Sequence, residues 1–158
     1  MDRICGYFDT QGFYHKGLFH PLEVAVLGGC VTMSAAVDHN LNPTKFSKKD
    51  KKNVNFAEKY HGIPCCSTNQ RMDPQLLPIM LQNFYEGRAT DSKYLIACKS
   101  LEAERILTTL AIPCINIVDQ GATWKNISNG RKPCHLHLNG DKCSLNAVLD
   151  LNNWVDSL

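Results

Sequence analysis

The stretch Cys134-His135-Leu136-His137-Leu138-Asn139-Gly140-Asp141-Lys142-Cys143 sets two thiols and two imidazoles within ten residues, directly ahead of an apolar tail with helical spacing. Zinc is held by four Cys, His or carboxylate ligands in a tetrahedron, and a structural site is closed by protein ligands alone. Cys134, His137 and Cys143 offer three of them, so a fourth has to come from elsewhere in the chain. Cys134-x-x-His137 lets the backbone turn around an ion, which favours His137 over His135. His61, Cys65 and Cys66 are rival ligands, although two adjacent cysteines chelate one ion awkwardly. The competing reading makes Cys134 and Cys143 buried thiols with no ion between them.

Working outward, the chain has 158 residues, 44% of them apolar and 20% charged, the balance of one globular domain over residues 1–158. Short apolar runs predict strands at residues 4–8, 23–33 and 35–41, with a tight turn near Ser34. Residues 42–72 are polar, basic and punctuated by Pro and Cys, and read as a long surface excursion. Asp73-Pro74 opens a helix carrying Leu76, Leu77, Met80 and Phe84, and Gly87 ends it. Residues 94–97 and 115–118 predict strands, separated by a helix capped at Ser100. A last helix starts near Asp141. The order β-β-β-α-β-α-β-α is α/β and fits an RNase H-like mixed five-stranded sheet with flanking helices: a leading antiparallel meander, then parallel strands added by crossovers.

No apolar run approaches the roughly 20 residues of a membrane span, and no charged-then-apolar leader opens the chain. An intracellular protein, cytoplasmic or nuclear, is therefore expected, with no membrane partner. Among eight cysteines, Cys5, Cys30, Cys98 and Cys114 lie in apolar runs and are expected to be buried thiols. Net charge is only +2, yet Lys45, Lys48, Lys49, Lys51 and Lys52 crowd within eight residues. Such a run can contact phosphates or simply be solvated.

Two layouts share motifs with this chain. Phe8-Asp9-Thr10-Gln11 resembles the opening Asp-x-Glu motif of DEDD-type 3′–5′ exonucleases, and His61-Gly62-Ile63 resembles their His-Gly-Ile turn. Two-metal chemistry needs several converging carboxylates, and Gln11 stands where that family has Glu. The Maelstrom domain, a zinc-binding relative of those exonucleases in RNA silencing, is the closer likeness. Pro21-Leu22-Glu23-Val24, Asp38-His39-Asn40-Leu41-Asn42-Pro43, His61-Gly62-Ile63-Pro64, Cys98-Lys99-Ser100, and Cys134 to His137 followed by Cys143-Ser144-Leu145 are similar to its motifs, in order. The chain is identified on these residues as a divergent member.

The resemblance implies a structural Zn2+ held by Glu23, Cys134, His137 and Cys143. It also implies single-stranded RNA and silencing-pathway (piRNA-type) proteins as partners, and metal-independent RNA cleavage as an associated ribonuclease activity. Lys45, Lys48, Lys49, Lys51, Lys52, Lys99, Arg131 and Lys132 are the RNA-contact candidates. Asp9, His39, His61 and Lys99 are candidate catalytic groups. The alternatives are a metal-dependent exonuclease using Asp9 and Glu23, and a non-catalytic protein-interaction adaptor.

Overall fold

The computed structural model describes residues 2–65, 71–122, 136–137 and 143–158. The first strand, β1 (Ile4–His15), pairs antiparallel with β2 (Leu18–Gly28), which pairs antiparallel with β3 (Val31–Ala36). Two parallel strands, β4 (Leu95–Cys98) and β5 (Cys114–Asn116), extend the other side of β1. The result is a five-stranded mixed sheet of order β3-β2-β1-β4-β5. Helices α1 (Lys48–His61), α2 (Leu76–Glu86), α3 (Leu101–Thr109) and α4 (Ser144–Asp156) complete the described elements. This is the expected α/β class and mixed sheet.

Side chains alternate across the strands and divide the core in two. Phe8, Val24, Val26, Ile96 and Cys98 face α2 and α3, where Leu77, Leu81, Phe84, Ala103 and Leu107 meet them. Tyr7, Ala25, Leu27 and Ala97 face α4 and pack on Val148, Leu151 and Trp154. A third cluster joins Phe13 and Leu22 of the hairpin to Val54 and Ala57 of α1.

Several expectations change. The first strand runs on to His15, because Thr10 and Gln11, polar as they are, stay in the β1–β2 ladder. A bulge between Gln11 and Gly12 shifts the register there. A side chain at Gly12 would put its Cβ 2.2 Å from the His20 carbonyl oxygen, so the bulge requires glycine. The two-residue turn Lys16-Gly17, both at positive φ (50° and 79°), then closes the hairpin.

The second and third strands meet at Gly29-Cys30, not near Ser34, since Gly29 supplies the positive φ of 54° that the turn needs. Cys30 is therefore exposed, while Cys98 is buried and Cys5 and Cys114 are half-buried. The strand expected at residues 115–118 stops at Asn116, whose side chain accepts from Val118 N–H at 3.2 Å and starts a 3₁₀ turn, Ile117–Gln120.

The largest change is α1, inside the region read as an excursion. Its buried stripe is narrow, Asp50, Val54, Ala57 and His61, and the rest is Lys-rich, so hydrophobic periodicity barely registers. The end signals are nonetheless present. Ser47 Oγ accepts from Asp50 N–H at 3.1 Å and donates to Asp50 Oδ2 at 2.6 Å, and Gly62 closes the helix at φ 69°. Asp50 Oδ1 also accepts from Lys16 N–H at 3.1 Å, pinning the helix to the hairpin turn. The Ser47 and Lys16 hydrogen bonds hold the Asp50 carboxyl below its ordinary pKa.

Ser47→Ala should cost about 1–2 kcal/mol, seen as a lower urea midpoint with an unchanged slope.

Candidate metal centre

Glu23 lies on β2 opposite Gln11 and is fully buried on the face that α4 covers. An isolated carboxylate there would be very costly, yet three groups meet this one. Ser144 N–H, at the first residue of α4, donates to Glu23 Oε2 at 2.8 Å. His137 Nε2 lies 3.0 Å from the same oxygen, and Cys143 Sγ lies 3.6 Å from Oε1. Cys143 occupies the N-cap position of α4 and makes no side-chain cap bond, so a carboxylate from the sheet caps the helix instead. His137 Nδ1 bonds the backbone carbonyl of His61 at the end of α1. That contact places the Nδ1 proton and leaves Nε2 facing Glu23, the carbonyl-oriented arrangement typical of ligating histidines.

Glu23, His137 and Cys143 are all buried and can bring one ligand atom each within 4.8 Å of the others. This triad could hold a metal ion. The sequence candidate Cys134 lies outside the described residues, as do Arg131 and Lys132. Burial lowers the pKa of His137, but the Glu23 hydrogen bond, the Glu23 charge and the His61 carbonyl outweigh it, and the net shift is upward. A proton and a metal ion would compete for the same Nε2 beside Glu23.

Asp9 sits on the same face of β1, two residues before Gln11, and is 3% exposed. Burial pushes its carboxyl up to about 7; the Gln11 and Ser144 side chains pull down against that, and the Glu23 charge adds to the rise. Gln11 Nε2 donates to Asp9 Oδ2 at 3.0 Å. The amide thus fills the place expected of a second acid and binds the first.

The remaining candidates are scattered. His61 is buried and reaches the centre through its backbone carbonyl. Lys99 follows β4 and its ammonium is buried. His39 follows β3 and bonds the Pro21 carbonyl through Nε2. Lys45, Lys48, Lys49, Lys51 and Lys52 are all exposed.

A second feature escaped sequence reasoning. Lys49, Lys52, Asn53 and Phe56 of α1 form one wall of a cleft of about 610 Å3, and Tyr14, Phe19, Gln11, Ser100 and Glu102 line the rest. Phe56 is 67% exposed and stacks on Tyr60 at 5.6 Å. Positions 49, 52, 53, 56 and 60 follow the i, i+3, i+4 rule of one helix face, so recognising α1 from Ser47 and Gly62 would have revealed them. Among the described residues no helix is long and apolar enough to cross a membrane.

Glu23→Ala should destabilise the metal-free chain by about 3–5 kcal/mol, since it strands three buried partners. Metal at 100 times its Kd for this centre should add about 2.7 kcal/mol to the parent chain, and Glu23→Ala should lose that increment, as chelator-dependent thermal shifts will show. In chelated protein the cost of ionising Asp9 in the fold starts near its ordinary 3.8 and is complete above about 7. Asp9→Asn should therefore remove a loss of stability across that window, measured by denaturation at pH 4.5 and 8. Compared with known proteins, the chain matches no family model, no curated protein and no solved structure.

Proposed function

We propose that this chain is a zinc-stabilised, RNase H-like domain of Maelstrom type that binds single-stranded RNA along the α1 cleft. The observation that carries this reading is the shared face of Lys49, Lys52 and Phe56 on one wall of that cleft. Single strands are held by a positively charged groove that tracks phosphates together with aromatic faces on which bases stack. The α1 wall has both, and Tyr14 and Phe19 add apolar rings opposite. Lys45 lies in the neighbouring cleft with Lys16 and Lys49, which prolongs the basic surface past the hairpin turn.

Zinc is the ion that suits the buried triad. Bonds near 2.0–2.2 Å to O and N and 2.3 Å to S place tetrahedral neighbours roughly 3.3–3.7 Å apart. Cys143 Sγ lies 3.6 Å from Glu23 Oε1 and His137 Nε2 lies 3.0 Å from Oε2, and one ligand atom from each residue falls within 4.8 Å of the others, which supports an ion of this size among them. With Cys134 as fourth ligand, as the resemblance implies, the ion is closed to water and serves to fasten α4 to the sheet. Two observations favour this over a metal-dependent exonuclease. Both Glu23 oxygens are engaged by α4 and His137, and Asp9 is hydrogen-bonded by the Gln11 amide where that chemistry needs a second acid.

Fluorescence anisotropy with a labelled single-stranded RNA tests the cleft. Lys49→Ala with Lys52→Ala should reduce the slope of log K against log salt by about 1.4. Phe56→Ala should weaken binding by about 1–3 kcal/mol per stacked base. Binding that ignores both changes would overturn the assignment, and Mg2+-dependent 3′ trimming lost in Asp9→Asn would favour the exonuclease.

A further inference from the structure

Toward the tip of the β1–β2 hairpin, His15, His20 and His39 gather from β1, β2 and the segment after β3. His20 and His39 stand edge to face, with ring centroids 4.9 Å apart and an interplanar angle of 88°. Their Nδ1 atoms are 3.4 Å apart. That is the spacing of two imidazole nitrogens sharing a tetrahedral ion, given metal–nitrogen bonds of about 2.0–2.1 Å. Both rings are fixed from behind. His39 Nε2 donates to the Pro21 carbonyl, which leaves Nδ1 as the bare nitrogen facing His20. Phe13 stacks on His20 at 5.5 Å and 21°, and His15 lies 5.6 Å from it.

The surroundings favour uncharged rings. Burial lowers the pKa of His20, as do the neighbouring His39 and His15, and burial lowers that of His39. Neutral imidazole is the form that binds metal. Both rings remain half-exposed, and His39 also lines an open cleft of about 480 Å3, so an ion has a route in. The orienting carbonyl behind His39 is the outer-shell partner that ligating histidines ordinarily have.

We propose a second metal site, in which His20 Nδ1 and His39 Nδ1 bind a borderline divalent cation such as Zn2+, Co2+ or Ni2+, with water or a donor from a partner in the open positions. His15 is the nearest further imidazole. Such an ion ties the hairpin to the chain leaving β3. The site shares no ligand with the Glu23 centre and does not depend on RNA binding.

Cobalt titration of the whole chain provides the test. The first equivalent, at the Cys143 centre, gives a thiolate-to-metal absorption band. A second should add visible d–d absorption without such a band and should broaden the ring-proton resonances of His20 and His39. His20→Gln and His39→Gln should each remove the second equivalent and keep the first, which also reports that the variants are folded. The proposal is overturned if the parent chain takes up no second equivalent, if the two rings stay sharp, or if the second equivalent survives in both variants. In those cases the pair is an ordinary His20–His39 hydrogen bond.

Discussion

A single buried carboxylate ties the layers of this molecule together. Glu23 sits on the strand next to the sheet's centre, at 0% exposure, and its two oxygens meet groups from beyond the sheet: Ser144 N–H and Cys143 at the start of α4, and His137 from the segment before it. Such a charge is tolerated in a low-dielectric interior only when it is paired and hydrogen-bonded. The position of α4 therefore follows from Glu23 as well as from the apolar contacts of Val148, Leu151 and Trp154. A metal ion among the same donors would supply the positive charge that a buried carboxylate needs.

The centre and the cleft share one helix. The inner face of α1 packs against the hairpin through Val54 and Ala57, its last residue supplies the carbonyl that orients His137, and its outer face carries Lys49, Lys52 and Phe56. Asn53 Nδ2 donates to the Tyr14 carbonyl at 3.2 Å, and Asp50 binds Lys16 N–H, so the hairpin and α1 are joined at two points. The contact between His137 and the His61 carbonyl fastens the end of the helix that forms the cleft wall.

Much of the fold was legible residue by residue. Ser100 caps α3 by accepting from Ala103 N–H at 3.1 Å, as its place before Glu102 and Glu104 suggests. The spacing of Leu76, Leu77, Met80 and Phe84 matches α2, and the strand read at residues 94–97 is β4, Leu95–Cys98. Helix α1 was not legible from periodicity, because a helix that covers only the end of a hairpin needs few apolar residues. The turn at Gly29 was hidden by apolar residues running through it on both sides. The cleft was illegible for a different reason: Tyr14, Phe19 and Phe56 are ordinary aromatics until the hairpin and α1 are laid side by side.

By itself the sequence determined the α/β class, supplied Glu23, His137 and Cys143 as residue types able to ligate a metal, and put Gln11, an amide, two residues after Asp9. Those are properties of side-chain chemistry and local spacing, and they survive any folding. Tertiary structure decided that Glu23, 114 positions from His137 and 120 from Cys143, meets both of them. It also decided that Lys49, Lys52 and Phe56 share a wall and that His20 faces His39. Each of those meetings depends on strand register and helix docking, which arise from burial summed over the whole chain and cannot be read from any one segment.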